Sequence, residues 1–299
     1  MHKSNPHIDG YDMQALAKAE PALSHHLIKA PSGRDSINFS DPEAVKLLNK
    51  ALLLHHYNLE YWDIPKGQLC PPIPGRADYM LGLNDVLNQS KAGNKEQVSI
   101  LDVGTGANLI YPIIGKALFN WNWVASDINQ DSIINAQAII DNNPSLIGSV
   151  SLRHQPNNKH IFKGIIESGD YFDASVCNPP FHRSAAEALA GSAQKNKNLN
   201  RNKNKRQSNV KKVDSSSHLN FSGQANELWC EGGEFAFISN MINESRKVAS
   251  QVGLFSCLVS KKENLKPLAA NLKKVTSIPM NIHEMAQGNK ISRFITWHF

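Results

Sequence analysis

The chain has 299 residues, a formal net charge of +6 at pH 7 and four cysteines without a Cys-x-x-Cys pair. This length fits one large domain or a domain with an extension, and the cysteine spacing excludes a disulfide framework or a zinc site, so we expect no metal. With no long apolar stretch and polar residues at Met1 to Pro6, we expect a soluble, cytoplasmic protein without membrane contact.

The positive charge is concentrated at about residues 190 to 217, where the net charge is +7 against about −1 for the rest of the chain. This segment has almost no large apolar residues, so we expect it to be mobile in isolation. A local basic arm is typical of contact with a polyanion, and the alternative is a solvated insertion without function. Its basic residues are Lys195, Lys197, Arg201, Lys203, Lys205, Arg206, Lys211 and Lys212.

Residues 1 to about 90 are predicted to form an accessory module of helical segments and proline-rich turns. Asp41-Pro42 supplies an N-cap and a first-turn proline for a helix with apolar residues at helical spacing. Further on, the prolines between Cys70 and Arg76 are expected to exclude regular helix and to stiffen a connection. The apolar residues of the predicted helix are Val45, Leu47, Leu48, Leu52, Leu53 and Leu54.

From Val98 onward, short apolar runs alternate with helical patterns. This alternation predicts an α/β domain, over residues 91 to 299, with a mostly parallel sheet covered by helices on both faces. The last two strands have no clear helix between them and are expected to form an antiparallel hairpin. The predicted helices cover residues 107–118, 130–142, 233–250 and 263–272, and the predicted strands cover residues 98–103, 123–127, 150–153, 172–177, 252–259, 275–283 and 294–299.

A glycine turn follows the first of these sheet strands, in Ile100 to Asn108. Gly104 and Gly106 allow the backbone to approach a ligand closely, and the following helix offers unpaired N–H groups. Leu109 stands where the dinucleotide-binding pattern has its third glycine, which argues against NAD.

Two acidic residues accompany this turn. Asp127 ends the next strand, where a carboxylate can accept hydrogen bonds from both ribose hydroxyls of a cofactor, or can instead cap the helix near Asn129. Asp102 is predicted either to bind a cofactor amino group or to brace the turn. The residues alone leave these alternatives open.

A third feature is Asn178-Pro179-Pro180-Phe181, which directly follows a predicted strand. The Asn178 side-chain oxygen and the Pro179 carbonyl can accept both N–H bonds of an exocyclic aromatic amine and favour a pyramidal, nucleophilic nitrogen without a charged base. Phe181 can then stack on an extruded base. The alternative is that this tetrapeptide is only a stiff turn.

Together these residues resemble the RlmF family of bacterial large-subunit ribosomal RNA adenine-N6 methyltransferases, over nearly the whole chain. The motifs that carry the resemblance are Trp62 to Pro65, Cys70 to Tyr79, Asp102 to Gly106, Ile110 to Pro112, Asn178 to Phe181, Glu227 to Glu234 and Met285 to Gly288.

The resemblance implies a seven-stranded Rossmann-like class I methyltransferase that uses S-adenosylmethionine to modify one adenine of 23S ribosomal RNA, free or in an assembly particle. The chain is also similar, more distantly, to the eukaryotic spliceosomal-RNA adenine methyltransferase, and this similarity implies a cofactor pocket of Arg76, Gly104, Asn108, Asp127 and Asn178, with Arg76 as the partner of the cofactor carboxylate. The N-terminal module and the basic arm would then contact RNA.

Several points stay open at this stage. Glu227 to Glu234 is predicted either to cover the target base, with Trp229 as a second stacking surface, or to anchor a turn by burying Trp229. A different acceptor, in other RNA, DNA or a protein glutamine, fits the same catalytic loop, and a noncatalytic RNA-binding assembly factor is the remaining alternative. The oligomeric state does not follow from the residues.

Overall fold

The computed structural model of the chain describes residues 1–89, 97–182, 187, 229–287 and 290–299. Its centre is a seven-stranded sheet with helices on both faces, which confirms the predicted α/β architecture. Within these ranges, no helix has both the length and the apolar character needed to cross a membrane.

The N-terminal part begins with a short helix, α1 (Met13–Ala19), and a 3-10 turn over Pro21–His26. Two short strands, β1 (Leu27–Lys29) and β2 (Asp35–Ile37), follow and pair in an antiparallel hairpin. The prediction of only helical segments and turns in this region is wrong here. Three-residue strands contain too few alternating positions to show a recognisable period.

Helix α2 (Pro42–Tyr57) begins where the sequence predicts it. The Asp41 side chain accepts a hydrogen bond from the Glu43 amide at 3.1 Å, and Pro42 occupies the first helical position, where no N–H partner is needed. The helix ends at Asn58, which takes the left-handed conformation common at helix ends. It buries most of the apolar residues of the predicted helical pattern, namely Leu47, Leu48, Leu52 and Leu53.

Helix α3 (Ile73–Gln89) corrects the expectation that prolines exclude helix up to Arg76. Pro74 lies in the first turn, where backbone N–H groups have no partner within the helix, so the missing donor is tolerated. The Arg76 amide already donates to the Pro72 carbonyl at 3.3 Å. Arg76 therefore projects from the first turn of a helix and not from an irregular connection.

Seven strands form the central sheet, namely β3 (Ser99–Val103), β4 (Asn122–Asp127), β5 (Val150–His154), β6 (Ala174–Cys177), β7 (Phe255–Leu258), β8 (Asn281–Gln287) and β9 (Lys290–Trp297). Their order across the sheet is β5-β4-β3-β6-β7-β9-β8. The first five in this order pair in parallel, whereas β9 is antiparallel to both β7 and β8. The strand order reverses between β3 and β6, so a crevice is expected at the carboxyl ends of these strands.

The terminal hairpin of β8 and β9 is confirmed, but its position differs from the prediction. Strand β8 begins six residues later than Val275, and β9 begins at Lys290 rather than at Phe294. Both strands include polar residues at the edge of the sheet, and such residues hide a strand from a search for apolar runs. Met285 to Gln287 of the predicted motif consequently lie in β8, and Gly288 lies outside the described residues.

In the described ranges, four helices lie between strands of the sheet, and their bounds differ slightly from the predicted ones. Helix α4 starts at Ile110 because Leu109 still has the left-handed backbone of the preceding turn, with φ of 52°. Helix α6 ends at Ser245 and continues only as a 3-10 turn. The helices are α4 (Ile110–Phe119), α5 (Gln130–Asp141), α6 (Gly233–Ser245) and α7 (Leu265–Leu272).

The core consists of two apolar clusters, one on each face of the sheet. Neighbouring strand residues alternate between them, with Ile100 in one cluster and Leu101 in the other. The first cluster joins residues of α2 to α5 with the sheet and includes the fully buried Trp62 and Tyr79. The N-terminal segment is therefore packed into the same core as the sheet.

Candidate active site

The glycine turn lies at the carboxyl end of β3, next to the point where the strand order reverses. Gly104 and Gly106 have positive φ of 75° and 65°, which a side chain would disfavour. The amides of Gly104 and Thr105 both donate to the Ser126 carbonyl on β4, at 2.9 Å. The turn is thus pinned to the neighbouring strand, with its backbone open towards a cavity.

Asp127 connects the end of β4 to this turn. One carboxylate oxygen accepts from the Gly106 amide and the other from the Asn129 amide, both at 2.8 Å. Burial raises its pKa, and these two amides oppose the shift. Helix α5 is capped by Asn129 itself, through Asp131, so Asp127 is not the capping residue. Each of its oxygens keeps a second lone pair, and the residue lines the cavity.

Asp102 is fully buried at the base of the turn, and neither of its carboxylate oxygens has a hydrogen-bond partner. Burial raises the pKa of Asp102 to about 7, and the charge of Asp127 adds to this shift. The nearby Thr105 hydroxyl and Arg76 oppose it, although the hydroxyl makes no hydrogen bond of normal geometry. An unpaired buried carboxyl does not brace a turn through its side chain, whereas it fits a cationic group brought by a ligand.

Arg76 reaches the same cavity from helix α3. One of its terminal nitrogens donates to the Tyr111 hydroxyl at 3.0 Å, and the guanidinium carbon lies 5.7 Å from the centre of the Tyr111 ring. The Nε atom is buried without a partner. An oriented arginine with an unused donor suits a carboxylate, which is the other charged group at the amino-acid end of S-adenosylmethionine.

Asn108 is held by the linker that follows helix α2, a connection that the sequence analysis does not predict. The Trp62 indole N–H donates to the Asn108 carbonyl at 2.9 Å, and the Asn135 amide nitrogen donates to the carbonyls of Ala107 and Asp63 at 2.7 and 3.0 Å. The Asn108 side chain itself accepts from the Ile110 amide at 3.1 Å. The linker therefore fixes the last residues of the glycine turn.

The Asn178-Pro179-Pro180-Phe181 loop begins at the carboxyl end of β6, beside β3. Asn178 and Pro180 line the cavity, and the Asn178 side-chain oxygen is buried without a hydrogen-bond partner. Pro179 is buried, and Phe181 is half-buried outside the cavity lining. Beyond the loop, His182 forms a parallel bridge with Trp229, which lies in the cavity wall.

One cavity of about 530 Å³ brings these groups together. Of the predicted cofactor residues, it is lined by all except Asp102, which lies beneath the turn. The opposite wall contains the loop after β5, from Gln155 to Ile161, and residues of α6 such as Phe237. The residues of this wall were not among the predicted site residues. A polar run that follows a strand at the carboxyl edge of a parallel sheet could have indicated them.

Glu244 of α6 supports that wall from below. Its carboxylate accepts from the amides of Ile161 and Phe162 at 2.9 and 2.8 Å and contacts His160 Nδ1 at 2.9 Å. Burial alone would raise the pKa of Glu244, but these amides and His160 outweigh it and leave the pKa below its ordinary value. One buried carboxylate thus holds the end of this loop through two backbone amides and His160.

The predicted RNA-binding residues of the basic arm, Lys195 to Lys212, lie outside the described residues. So do Glu227 and Leu228 of the motif that ends at Glu234. In the part of the chain that is described, no three His, Cys, Asp or Glu residues are grouped in a way that could hold a metal ion.

The strand order, the glycine turn, the acidic end of β4 and the Asn-Pro-Pro-Phe loop around one cavity define a class I methyltransferase that uses S-adenosylmethionine. The family model described as RNA methyltransferase, Methyltransf_10, matches residues 1–299. The chain belongs to this family.

Named relatives and solved structures agree with this assignment. The chain is 51% identical to "Ribosomal RNA large subunit methyltransferase F" of Psychrobacter sp. (strain PRwf-1), covering 100% of this chain and 93% of the relative. It is 48% identical to the protein of the same name from Vibrio parahaemolyticus, with 100% and 81% covered. These matches confirm the resemblance to the RlmF family.

Among solved structures, the human hMettl16 catalytic domain in complex with MAT2A 3'UTR hairpin 6 superposes with a TM-score of 0.79 at 28% identity, covering 100% of this chain and 97% of that one. The N-terminal domain of human METTL16 in complex with SAH gives 0.75 at 24% identity, with 100% and 98% covered, and supports the fold. The predicted seven-stranded methyltransferase fold is therefore confirmed, and the family description and these relatives support RNA as the partner of this chain.

Proposed function

We propose that this protein methylates the N6 amine of one adenine in 23S ribosomal RNA, free or within a large-subunit assembly particle. The ribosomal target is supported by the printed name of relatives that are about half identical over the whole chain. The choice of an amine is supported by one observation above all, the buried and unpartnered side-chain oxygen of Asn178 at the cavity.

The residues around the cavity fit the cofactor. Arg76, Asp102 and Thr105 all have buried polar atoms without partners, which a bound amino acid end would satisfy. Asp127 has free lone pairs for ribose hydroxyls, and the backbone of Gly104 leaves room for close approach. When bound, S-adenosylmethionine supplies an electrophilic methyl group.

The catalytic task of the protein is to orient a weak nucleophile. The lone pair of an exocyclic aromatic amine is delocalised into the ring, so the free amine reacts poorly. Asn178 Oδ1 and the Pro179 carbonyl accept the two N–H bonds and favour a pyramidal nitrogen with a localised lone pair. Pro179 and Pro180 have no N–H groups and have restricted backbones, so the two acceptors stay where β6 sets them.

RNA binding is assigned to two regions. The basic arm from Lys195 to Lys212 would contact phosphates, which gives affinity without reading sequence. The N-terminal segment would form a further contact surface beside the cavity, because it packs directly against the cofactor turn through Trp62. Phe181 would stack on the extruded target base.

The test is transfer of labelled methyl groups from S-adenosylmethionine to 23S RNA isolated from cells that lack this protein, with mapping of the modified base. We expect a single N6-methyladenine with the wild-type protein and none with Asn178→Ala. Incorporation only into a precursor particle would retain the chemistry and identify the particle as substrate. Incorporation into DNA or into a release factor, with none into either RNA substrate, would contradict the proposal.

A further inference from the structure

Buried polar atoms without partners surround the cavity in two groups. Those of Arg76, Asp102 and Thr105 belong to the cofactor side, around the glycine turn. The other two are Asn178 Oδ1, in the catalytic loop, and Trp229 Nε1, in the segment beside that loop. Because an unpaired buried donor or acceptor is unfavourable, each of them indicates a ligand group that is bound in the functional state.

Trp229 is tied to the catalytic loop and not to the cofactor turn. It forms a parallel bridge with His182, which follows Phe181 directly, and the amide of Cys230 donates to the His182 carbonyl at 3.1 Å. Trp229 lines the cavity together with Asn178 and Pro180. Its position relative to the loop is therefore set by backbone hydrogen bonds.

The two unpaired atoms have opposite polarity, since Asn178 Oδ1 accepts and Trp229 Nε1 can only donate. They do not pair with each other. A single ligand in this cavity that satisfies both must present a donor to Asn178 and an acceptor to Trp229. The Watson–Crick edge of adenine has this pattern, with the N6 amine as donor and N1 as acceptor, and enzymes that act on extruded bases commonly read that edge.

We propose that Trp229 is a specificity-determining residue whose indole N–H donates a hydrogen bond to N1 of the target adenine. This inference rests on the proposed function and adds how the base is selected. Guanine and uracil present the opposite pattern, with an N–H facing the indole, and are rejected because both buried atoms would stay unpaired. Cytosine has the same donor and acceptor pattern, so this pair of contacts discriminates against guanine and uracil only.

Both atoms are shielded from water in the absence of a base. The two atoms therefore gain partners only when the base is bound. This dependence makes the contact specific to the RNA-bound state, so Trp229 is expected to affect methyl transfer without affecting cofactor affinity.

The test combines Trp229→Phe, which keeps an aromatic ring and removes the N–H, with short RNAs spanning the mapped target. The target position holds adenosine, 1-deazaadenosine, which lacks N1, or 7-deazaadenosine. With wild-type protein we expect 1-deazaadenosine to lower kcat/KM by about three- to tenfold, as for one lost hydrogen bond. Trp229→Phe should lower kcat/KM on adenosine by a similar factor, and its ratio of kcat/KM between adenosine and 1-deazaadenosine should be smaller than the wild-type ratio by that same factor.

Trp123→Phe is a matched control, because the Trp123 indole N–H is also buried and unpaired but belongs to β4, away from the cavity lining. It should leave the ratio between adenosine and 1-deazaadenosine unchanged. Removing N1 also changes the intrinsic reactivity of the amine, and this effect is the same for every protein variant. Comparing the ratio of kcat/KM between adenosine and 1-deazaadenosine across variants therefore cancels it.

The assignment would be overturned if the effects of Trp229→Phe and of 1-deazaadenosine on kcat/KM simply multiplied. It would also be overturned if the effect of Trp229→Phe on kcat/KM were coupled to 7-deazaadenosine and not to 1-deazaadenosine. A weaker affinity of Trp229→Phe for S-adenosylmethionine, measured by calorimetry, would also overturn it by placing the indole at the cofactor. If wild-type protein methylates the target adenine neither in RNA nor in a precursor particle, the proposed function fails and this inference fails with it. If wild-type protein does methylate it and no coupling is found, only this inference fails.

Discussion

Asn178 and Asp102 both have buried side-chain oxygens without a hydrogen-bond partner, and we propose that they act at different ends of the cavity. Asn178 follows β6 and faces the position expected for the acceptor amine. Asp102 ends beneath the glycine turn, where a cationic group of the cofactor can neutralise it. Because the two proposed functions are separate, substitutions at these residues should change different measured quantities.

Replacing Asn178 by alanine should abolish turnover and spare binding. Removal of a single transition-state acceptor is expected to lower kcat by about 10²- to 10³-fold, the range found for other hydrogen-bonding groups that stabilise a transition state. The measurement is single-turnover methyl transfer together with calorimetric binding of S-adenosylmethionine and RNA. Asn240→Ala is the control, because Asn240 lines the same cavity but donates to the Lys159 carbonyl. Activity of Asn178→Ala within a few-fold of wild type would contradict the mechanism.

Cofactor affinity should rise with pH because of Asp102. Its pKa is about 7 without ligand, raised first by burial and then by Asp127, and opposed by Thr105 and Arg76. A bound ammonium group favours the carboxylate, so below that pKa the carboxyl must lose a proton before or during binding. We expect S-adenosylmethionine to bind more weakly at pH 6 than at pH 8, with proton release.

The measurement for Asp102 is calorimetry near pH 6.5 in buffers of different ionisation enthalpy. In Asp102→Asn the proton release should disappear and the affinity should no longer change between pH 6 and pH 8. An equal proton release in wild type and Asp102→Asn would assign the titration to another group in the cavity.

At the scale of elements, the linker between α2 and α3 acts on the glycine turn through Trp62. Trp62→Phe keeps the buried ring and leaves the Asn108 carbonyl without its donor, at a cost of about 1 kcal/mol in stability. Because this carbonyl belongs to the turn, we expect a several-fold weaker affinity for S-adenosylmethionine with little change in kcat.

A matched control for Trp62 exists in the sheet. The Trp297 indole N–H donates to the Ser245 hydroxyl at 2.9 Å, and this hydrogen bond is equally buried but far along the chain from the turn. Trp297→Phe should lower the free energy of unfolding by a similar amount and leave cofactor affinity unchanged. Equal loss of affinity in both variants would mean that the effect is general destabilisation.

Helix α6 supports the loop after β5 through the carboxylate of Glu244. Its pKa lies below the ordinary value of 4.5, so its stabilising effect is present at neutral pH and is lost as pH falls through the lowered pKa. Glu244→Gln should lower the free energy of unfolding by about 1 to 3 kcal/mol at pH 7, as for lost charge-assisted hydrogen bonds.

The pH dependence separates this effect from simple repacking. Urea unfolding should show that the difference between wild type and Glu244→Gln narrows between pH 5 and pH 3. Glu167→Gln is the control, because that side chain is 70% exposed and should change stability little at any pH. A difference for Glu244→Gln that stays constant with pH would mean that its charge is not the cause.

At the scale of the whole molecule, charge is divided between a basic arm and a nearly neutral remainder. We expect replacement of Lys203, Lys205, Lys211 and Lys212 by alanine to weaken RNA binding and to make the slope of log K against log salt shallower by about three, since each phosphate contact on a single strand contributes about 0.7. Fluorescence anisotropy at several salt concentrations measures both quantities.

Four exposed lysines near and within helix α7 provide a control of equal charge. Replacing Lys262, Lys266, Lys273 and Lys274 by alanine changes the net charge equally without altering the arm. The slope should then change less than in the arm variant. An equal change of slope in both variants would mean that the arm contributes only through the overall positive charge of the protein. An unchanged slope in the arm variant would mean that the arm does not contact the RNA.

Much of the fold followed from local patterns. The alternation of apolar runs and helical stretches predicted the sheet and its helices, and Asp41-Pro42 predicted the start of α2. The elements whose bounds were predicted wrongly are those in which the preference of a single residue type is overridden by its position in the helix or sheet. Pro74 is compatible with a helix only because it falls in the first turn, and β9 begins with polar residues because it forms a hairpin near the sheet edge.

The sequence by itself determined the family, the fold class and the residues at two strand ends, because glycine turns, proline pairs and apolar periods are properties of neighbouring residues. Only the tertiary structure decided that Trp62 holds Asn108, that Glu244 supports the loop after β5, and that Trp229 lies beside the catalytic loop with an unpaired N–H. The physical reason is that a hydrogen-bond partner depends on distance through space. The packing of residues far apart in the chain sets that distance, and no local pattern encodes it.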